Sequence, residues 1–202
     1  MKLYYSPGAC SLAPHIVLAE SGLPYSIERV DLQTKKTEVG TEFTAVNRKG
    51  CVPALLLDKG EVLTEVPAIV QYIADRVPDK NLIPAANTWE RYRVVEWLNY
   101  VATELHKTYV PLFRPDTPVE YRLIAQEVLR RNFGYVAEAL EDKSFLIGND
   151  YSVADVYMFV VLGWAPHVKL DLSHFASLQA YANRIGKRAA VLRVLRAEGL
   201  VK

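Results

Sequence analysis

The side chains with the most chemistry to offer lie in the first third of the chain. Cys10 follows the run Leu3-Tyr4-Tyr5 and a Pro7-Gly8 turn, and stands just before a helical pattern. Backbone N–H groups at a helix start stabilise negative charge, so a thiol placed there is expected to ionise more readily. A fall in pKa from about 8.5 to about 6.5 raises the thiolate fraction at neutral pH from ~3% to ~75%. The other reading of Cys10 is a small buried apolar side chain. Tyr5, at a strand end, could donate its hydroxyl to a sulfur or simply pack, and Ser11 could cap the helix or meet a ligand. Val52-Pro53 is a second feature: proline at a strand start removes a ladder donor, and a cis bond there would present the Val52 backbone to an extended ligand. Thr64-Glu65-Val66-Pro67 is a third, a helix start whose N–H groups can bind a carboxylate or merely open an ordinary proline-initiated helix.

These residues need elements to hold them, and the sequence pattern supplies an α/β unit followed by helices. Leu3–Tyr5 reads as a strand, Ser11–Glu20 as a helix closed by Ser21-Gly22, and Tyr25–Val30 as a second strand. Residues 35–50 are polar and irregular. Val52–Leu57 and Glu61–Leu63 flank an Asp58-Lys59-Gly60 turn as a hairpin, and Pro67–Arg76 is helical. Pro78–Pro84 is the candidate linker, dividing a domain at 1–80 from a helical domain at 87–202. There a long amphipathic stretch runs from Thr88 to about Tyr109. Thr117-Pro118-Val119-Glu120 and Ser152-Val153-Ala154-Asp155 each carry a capping-box pattern. The first should open a helix to about Leu140 and the second one through Trp164, with shorter helices at 175–185 and 189–197. Asp155 is thus a structural cap rather than a catalytic acid, worth about 0.5–2 kcal/mol.

Composition narrows the function classes. The chain has 202 residues, half of them apolar, with net charge +1. No strong field favours nucleic acid or an anionic membrane, and no apolar run approaches the roughly 18 residues of a membrane helix. The Pro7-Gly8 break comes too early for the apolar stretch of a signal peptide. Two cysteines outside C-x-x-C spacing point to a reducing cytoplasm. There is no G-x-G-x-x-G, P-loop, H-E-x-x-H or metal-ligand cluster, so no metal is expected. His15 and His174 read as structural.

Taken together, Tyr4–Leu12, Lys49–Leu55 and Leu63-Thr64-Glu65 resemble the thioredoxin-like glutathione-binding domain of bacterial, beta-class glutathione transferases. The similarity continues through Glu96–Tyr100, Glu104–Lys107, Ser152–Asp155 and Trp164–His167, and so covers essentially the whole chain. It implies a thioredoxin-like N-terminal domain, an all-α C-terminal domain, glutathione as co-substrate and a homodimer. It places Cys10 against the glutathione sulfur, able to form a mixed disulfide with it, with Tyr5 and His106 nearby as catalytic residues and Ser11 as a further contact. Val52, before a cis Pro53, would pair through its backbone with the cysteinyl part. Lys35 would meet the glycyl carboxylate, and Glu65 and the N–H of Val66 the γ-glutamyl end. Asn99, Thr103, Glu104 and Lys107 would border the site, some reaching a neighbouring subunit's ligand. Tyr109, Phe113, Trp164 and His167 would wall the hydrophobic co-substrate, or alternatively pack as core.

Three positions depart from the family pattern. Val66 replaces a small residue, and its branched side chain is expected to crowd the carboxylate site, so that Val66→Gly would tighten glutathione binding. Cys51 stands where glutamine is common, and reads either as a buried inert thiol or as a second thiol near the site. Arg188-Ala189 replaces a frequent proline, with an effect expected only on the last helix. The implied activity is conjugation of glutathione to small hydrophobic electrophiles, with thiol–disulfide exchange on disulfides through Cys10. The competing class is a non-catalytic binding protein on the same fold.

Overall fold

A strand whose every residue from position 3 onward is apolar belongs at the centre of a sheet, and that is where the chain puts it. The computed structural model describes residues 1–202. Strand β1 (Lys2–Tyr5) is flanked by β2 (Ser26–Asp31) in parallel and by β4 (Ala54–Leu56) antiparallel. Strands β3 (Lys36–Thr37) and β5 (Val62–Thr64) close the edges, giving the order β3-β2-β1-β4-β5. Leu3 sits opposite Ile27 on one side and Leu55 on the other. Helix α1 (Leu12–Ser21) ends on Gly22 in the left-handed conformation, as its sequence implied. A single helical turn, α2 (Phe43–Val46), interrupts the stretch read as irregular, and Phe43 drops into a core cluster with Tyr4, Val30, Val52 and Ala54. Helix α3 (Val66–Asp75) follows β5 and packs on α1.

The chain divides into two compact units, residues 1–83 with 188–202, and residues 84–187. The C-terminal boundary thus differs from a helical domain running to residue 202. The last helix, α9 (Ala189–Ala197), packs on α1 in the first unit. Arg188 does more than precede that helix: its guanidinium grips Glu20 with Nε at 2.7 Å and Nη2 at 3.3 Å, tying α9 to the end of α1.

The second unit is built mainly of helices. Helix α4 (Trp89–Tyr100) starts from Thr88, whose hydroxyl accepts the Arg91 N–H. The expected single long helix is interrupted: Val101–His106 forms a π-helical turn, and α5 (Lys107–Phe113) follows. Helix α6 (Val119–Ala139) begins without a side-chain cap, so the Thr117 capping box does not form. Arg122 reaches back instead, donating to the carbonyls of Leu112, Arg114 and Thr117 and holding the turn before the helix. At α7 (Val153–Leu162) the capping box does form, with Asp155 accepting the N–H groups of Ser152 and Leu146. Helix α8 (Ala176–Gly186) completes this unit.

Candidate functional site

In the first unit, Cys10 occupies the loop between β1 and α1, and that loop is fixed by short-range bonds. Ser11 Oγ accepts the Ser6 N–H at 3.1 Å and donates to the Ser6 carbonyl at 3.2 Å. The Ser11 hydroxyl is therefore consumed inside the loop, and it neither caps α1 nor faces solvent. The Cys10 thiol donates to the carbonyl of Val52 at 3.3 Å. The Val52–Pro53 bond is cis. Contact between the thiol and the residue before this proline draws two of the sequence motifs into one place.

The electrostatics run against the sequence expectation. Burial pushes the Cys10 thiol up to about 12, and the N–H groups of Cys10 and Ser11 offset only part of this. Negative charge on Cys51 and Glu65 adds to the rise. The reason is geometric: Cys10 lies two residues ahead of α1, and desolvation outweighs the partial charge of the helix start. Tyr5 is buried and its hydroxyl is also raised, by burial first and then by the charges of Glu198 and Glu38.

The segment 47–52 runs beside this thiol with most of its carbonyls claimed. Lys35, on a left-handed turn after β2, donates from Nζ to the Gly50 carbonyl at 2.9 Å. Asn47 Nδ2 donates to the Cys51 carbonyl at 2.7 Å. Cys51 itself is exposed, its thiol donating to the Lys49 carbonyl at 3.3 Å. It is not the buried thiol of the first reading. Glu65 precedes α3 with φ 71° and ψ 123°, a conformation that side-chain-bearing residues rarely adopt and that recurs at functional sites. Its carboxylate pairs with Lys49 Nζ. Val66 is only 3% exposed. Its side chain is packed away from solvent at the start of α3.

In the second unit, Thr103, Glu104 and His106 fall on the π-helical turn, with Asn99 before it and Lys107 after it. Such turns are frequent at functional sites. Thr103 and Glu104 are exposed and bonded to each other, Oγ1 to Oε1, at 3.0 Å. His106 Nδ1 lies 2.6 Å from the Tyr157 hydroxyl, and its ring meets Trp164 edge-on. Of the four proposed co-substrate residues, Tyr109 is fully buried between Phe113, Phe133 and Trp164, and belongs to the core. Trp164 is buried too, whereas Phe113 is 50% exposed and His167 is exposed. Lys107 lines an open groove of about 610 Å³ with Val110, Pro111, Arg114, Tyr121 and Ile124.

Residues 8–76 match the glutathione S-transferase N-terminal domain, and residues 100–189 match the glutathione S-transferase C-terminal domain. The chain belongs to the glutathione S-transferase family. It is 51% identical to glutathione S-transferase GstA of Escherichia coli O157:H7, over 99% of this chain and 100% of that one. Among solved structures, a beta-class glutathione S-transferase of Sphingomonas chungbukensis superposes with a TM-score of 0.97 at 49% identity, covering 100% of both chains. A sphingomonad glutathione S-transferase complexed with glutathione gives 0.96 at 46% identity, again over 100% of both chains.

In this glutathione transferase the sequence motifs marked the loop of Cys10, the Val52–Pro53 step and the start of α3. Two features of the same region escaped them. Lys49 is the cation on Glu65, and its only sequence signal was its place at the head of the Lys49–Leu55 motif. Glu198 reaches the Cys10 loop from the far end of the chain, accepting the Gly8 N–H at 3.0 Å, and no local pattern announces it.

Proposed function

We propose that this transferase conjugates glutathione to small hydrophobic electrophiles, with the hydroxyl of Tyr5 and the thiol of Cys10 as hydrogen-bond donors to the glutathione thiolate. What supports this is a pair of sheltered donors, the buried Tyr5 at the end of β1 and the half-buried Cys10 in the loop after it. Burial raises both groups further above neutral pH, so each has a proton to give, and a hydrogen bond donated to a thiolate favours its charged form. Cys10 already donates to Val52, the residue whose backbone would pair with the cysteinyl part of glutathione. Lys35 supplies a cation for the glycyl carboxylate. The first N–H of α3, on Val66, and the Glu65 carboxylate suit the γ-glutamyl carboxylate and ammonium. In the helical unit Phe113 and His167 are the co-substrate candidates left to solvent. Asn99, Thr103, Glu104, His106 and Lys107 act as bordering groups in a homodimer, and the outward Trp89 and Tyr92 on α4 suit such an assembly. The cytoplasm suits two unpaired thiols.

Thiol–disulfide exchange through a Cys10 mixed disulfide is the second reading, favoured by a second thiol, Cys51, one residue before the carbonyl that holds Cys10. It requires Cys10 to lose a proton that burial holds tightly, which makes it slow at neutral pH.

Initial rates with an activated aryl halide across pH test the first reading. The wild-type kcat/KM should rise with an apparent pKa below the about 8.5 of a free thiol. Tyr5→Phe and Cys10→Ala should each lower kcat/KM about tenfold and move that pKa up by about one unit. Profiles unchanged in both variants would remove the two donors from the mechanism. Glutathione binding without conjugation of any electrophile would favour a binding protein.

A further inference from the structure

Cys51 is the feature of this site that conjugation leaves unused. It adjoins Val52, the residue whose carbonyl holds the Cys10 thiol at 3.3 Å, so its backbone runs beside the Cys10 loop. Residues 47–53 form neither helix nor strand, and Cys10 sits in a turn, so loops rather than the sheet carry both sulfurs. The two thiols sense each other electrostatically, since charge on Cys51 opposes ionisation of Cys10. They differ in access: Cys51 is exposed and Cys10 half-buried, although each thiol donates to a carbonyl at 3.3 Å. Accessible thiols react first with an external disulfide, and a neighbouring thiol then resolves the product.

We propose that Cys51 and Cys10 form a dithiol couple in which Cys51 takes glutathione from a disulfide and Cys10 displaces it. This rests on the glutathione reading of the site. In the first step the Cys51 thiolate attacks one sulfur of oxidised glutathione. The glutathione S–S bond breaks, a Cys51–glutathione disulfide forms, and one glutathione leaves as a thiolate that takes up the proton Cys51 lost. In the second step Cys10 gives its proton to the departing glutathione as its sulfur attacks Cys51 Sγ. The mixed disulfide breaks and the Cys10–Cys51 disulfide forms. Two protein thiols are oxidised, and one oxidised glutathione is reduced to two glutathione molecules. Two reduced glutathione molecules run the sequence backwards. The couple makes the protein a disulfide oxidoreductase as well as a transferase.

The test uses the full-length chain, reduced, exposed to oxidised glutathione at neutral pH, quenched by alkylation, and read by intact mass and peptide mapping. Wild type should end with a Cys10–Cys51 disulfide and no retained glutathione. Cys10→Ser should keep one glutathione, on Cys51. Cys51→Ser should be modified about tenfold more slowly than wild type. A stable Cys10 adduct formed at the same rate in wild type and in Cys51→Ser would overturn the couple. Calorimetric titration of Cys51→Ser with reduced glutathione separates two failures. Binding without any wild-type disulfide overturns the couple alone, and no binding overturns the glutathione reading beneath it too.

Discussion

A thiol just ahead of a helix feels two opposing influences, and at Cys10 the weaker one was the one visible in the sequence. Helix-start dipoles are worth about 0.3–1 kcal/mol at ordinary sites, whereas burial alone can move a pKa by up to about 3–5 units. Burial depends on residues far along the chain, so no local pattern reports it. Val66 teaches the same lesson from the other side. Its branched side chain was expected to obstruct a ligand, but it is enclosed at the start of α3. Val66→Gly should therefore lower stability by about 2–3 kcal/mol, from lost burial and added backbone freedom. Urea denaturation measures the loss of stability, and calorimetry shows whether glutathione binding changes with it. Tighter glutathione binding with unchanged stability would restore the obstruction. Glu65, by contrast, carries a backbone conformation that no residue-type signal betrays, since glutamate is not a residue chosen for positive φ.

Among elements, the pair of capping-box sequences shows what local patterns can and cannot decide. Both begin with a hydroxyl residue and carry an acid three positions on. Only the second is realised, because Asp155 is buried and accepts bonds from Ser152, Leu146 and Tyr181 at once. At the first, Pro118 takes the cap position in an extended conformation, and Arg122 holds the turn. Asp155→Ala should cost about 3 kcal/mol or more, because four buried donors, two of them on Ser152, lose this acceptor. Thr117→Ala should stay within about 0.5 kcal/mol of wild type. Thermal and urea unfolding of the two variants side by side checks this, and equal losses would contradict the distinction. Strands and most helices were legible because apolar periodicity is strong there. The π-helical turn at Val101–His106 was not, since it adds no change in the pattern of residue types. The short β3 and α2 were hidden in a polar stretch whose one deep anchor is Phe43.

At the scale of the whole molecule, the first unit is finished by the last residues of the chain. After α9, the Glu198 side chain is fully enclosed, its two oxygens occupied by different partners. Oε1 lies 2.7 Å from Nδ1 of the buried His15 on α1, and Oε2 accepts the Gly8 N–H in the Cys10 loop. Gly8 has φ +71°, and a side chain there would also meet Leu200 at 3.4 Å, so the loop is shaped to receive the C-terminal segment. Removing one partner of such a buried network leaves the others desolvated and unpaired, at a cost of about 3–5 kcal/mol. Glu198→Ala should lose that much stability, and the Gly8 amide should exchange with deuterium far faster than in wild type. Because the same carboxylate helps raise the Tyr5 hydroxyl, Glu198→Gln should lower the Tyr5 pKa while preserving much of the packing. Ultraviolet titration of tyrosine, compared with Tyr5→Phe, reads that shift. A Glu198→Ala protein with wild-type stability and an equally protected Gly8 amide would mean that the C-terminus merely rests on the loop, and that α1 and the sheet fix the position of Cys10 unaided.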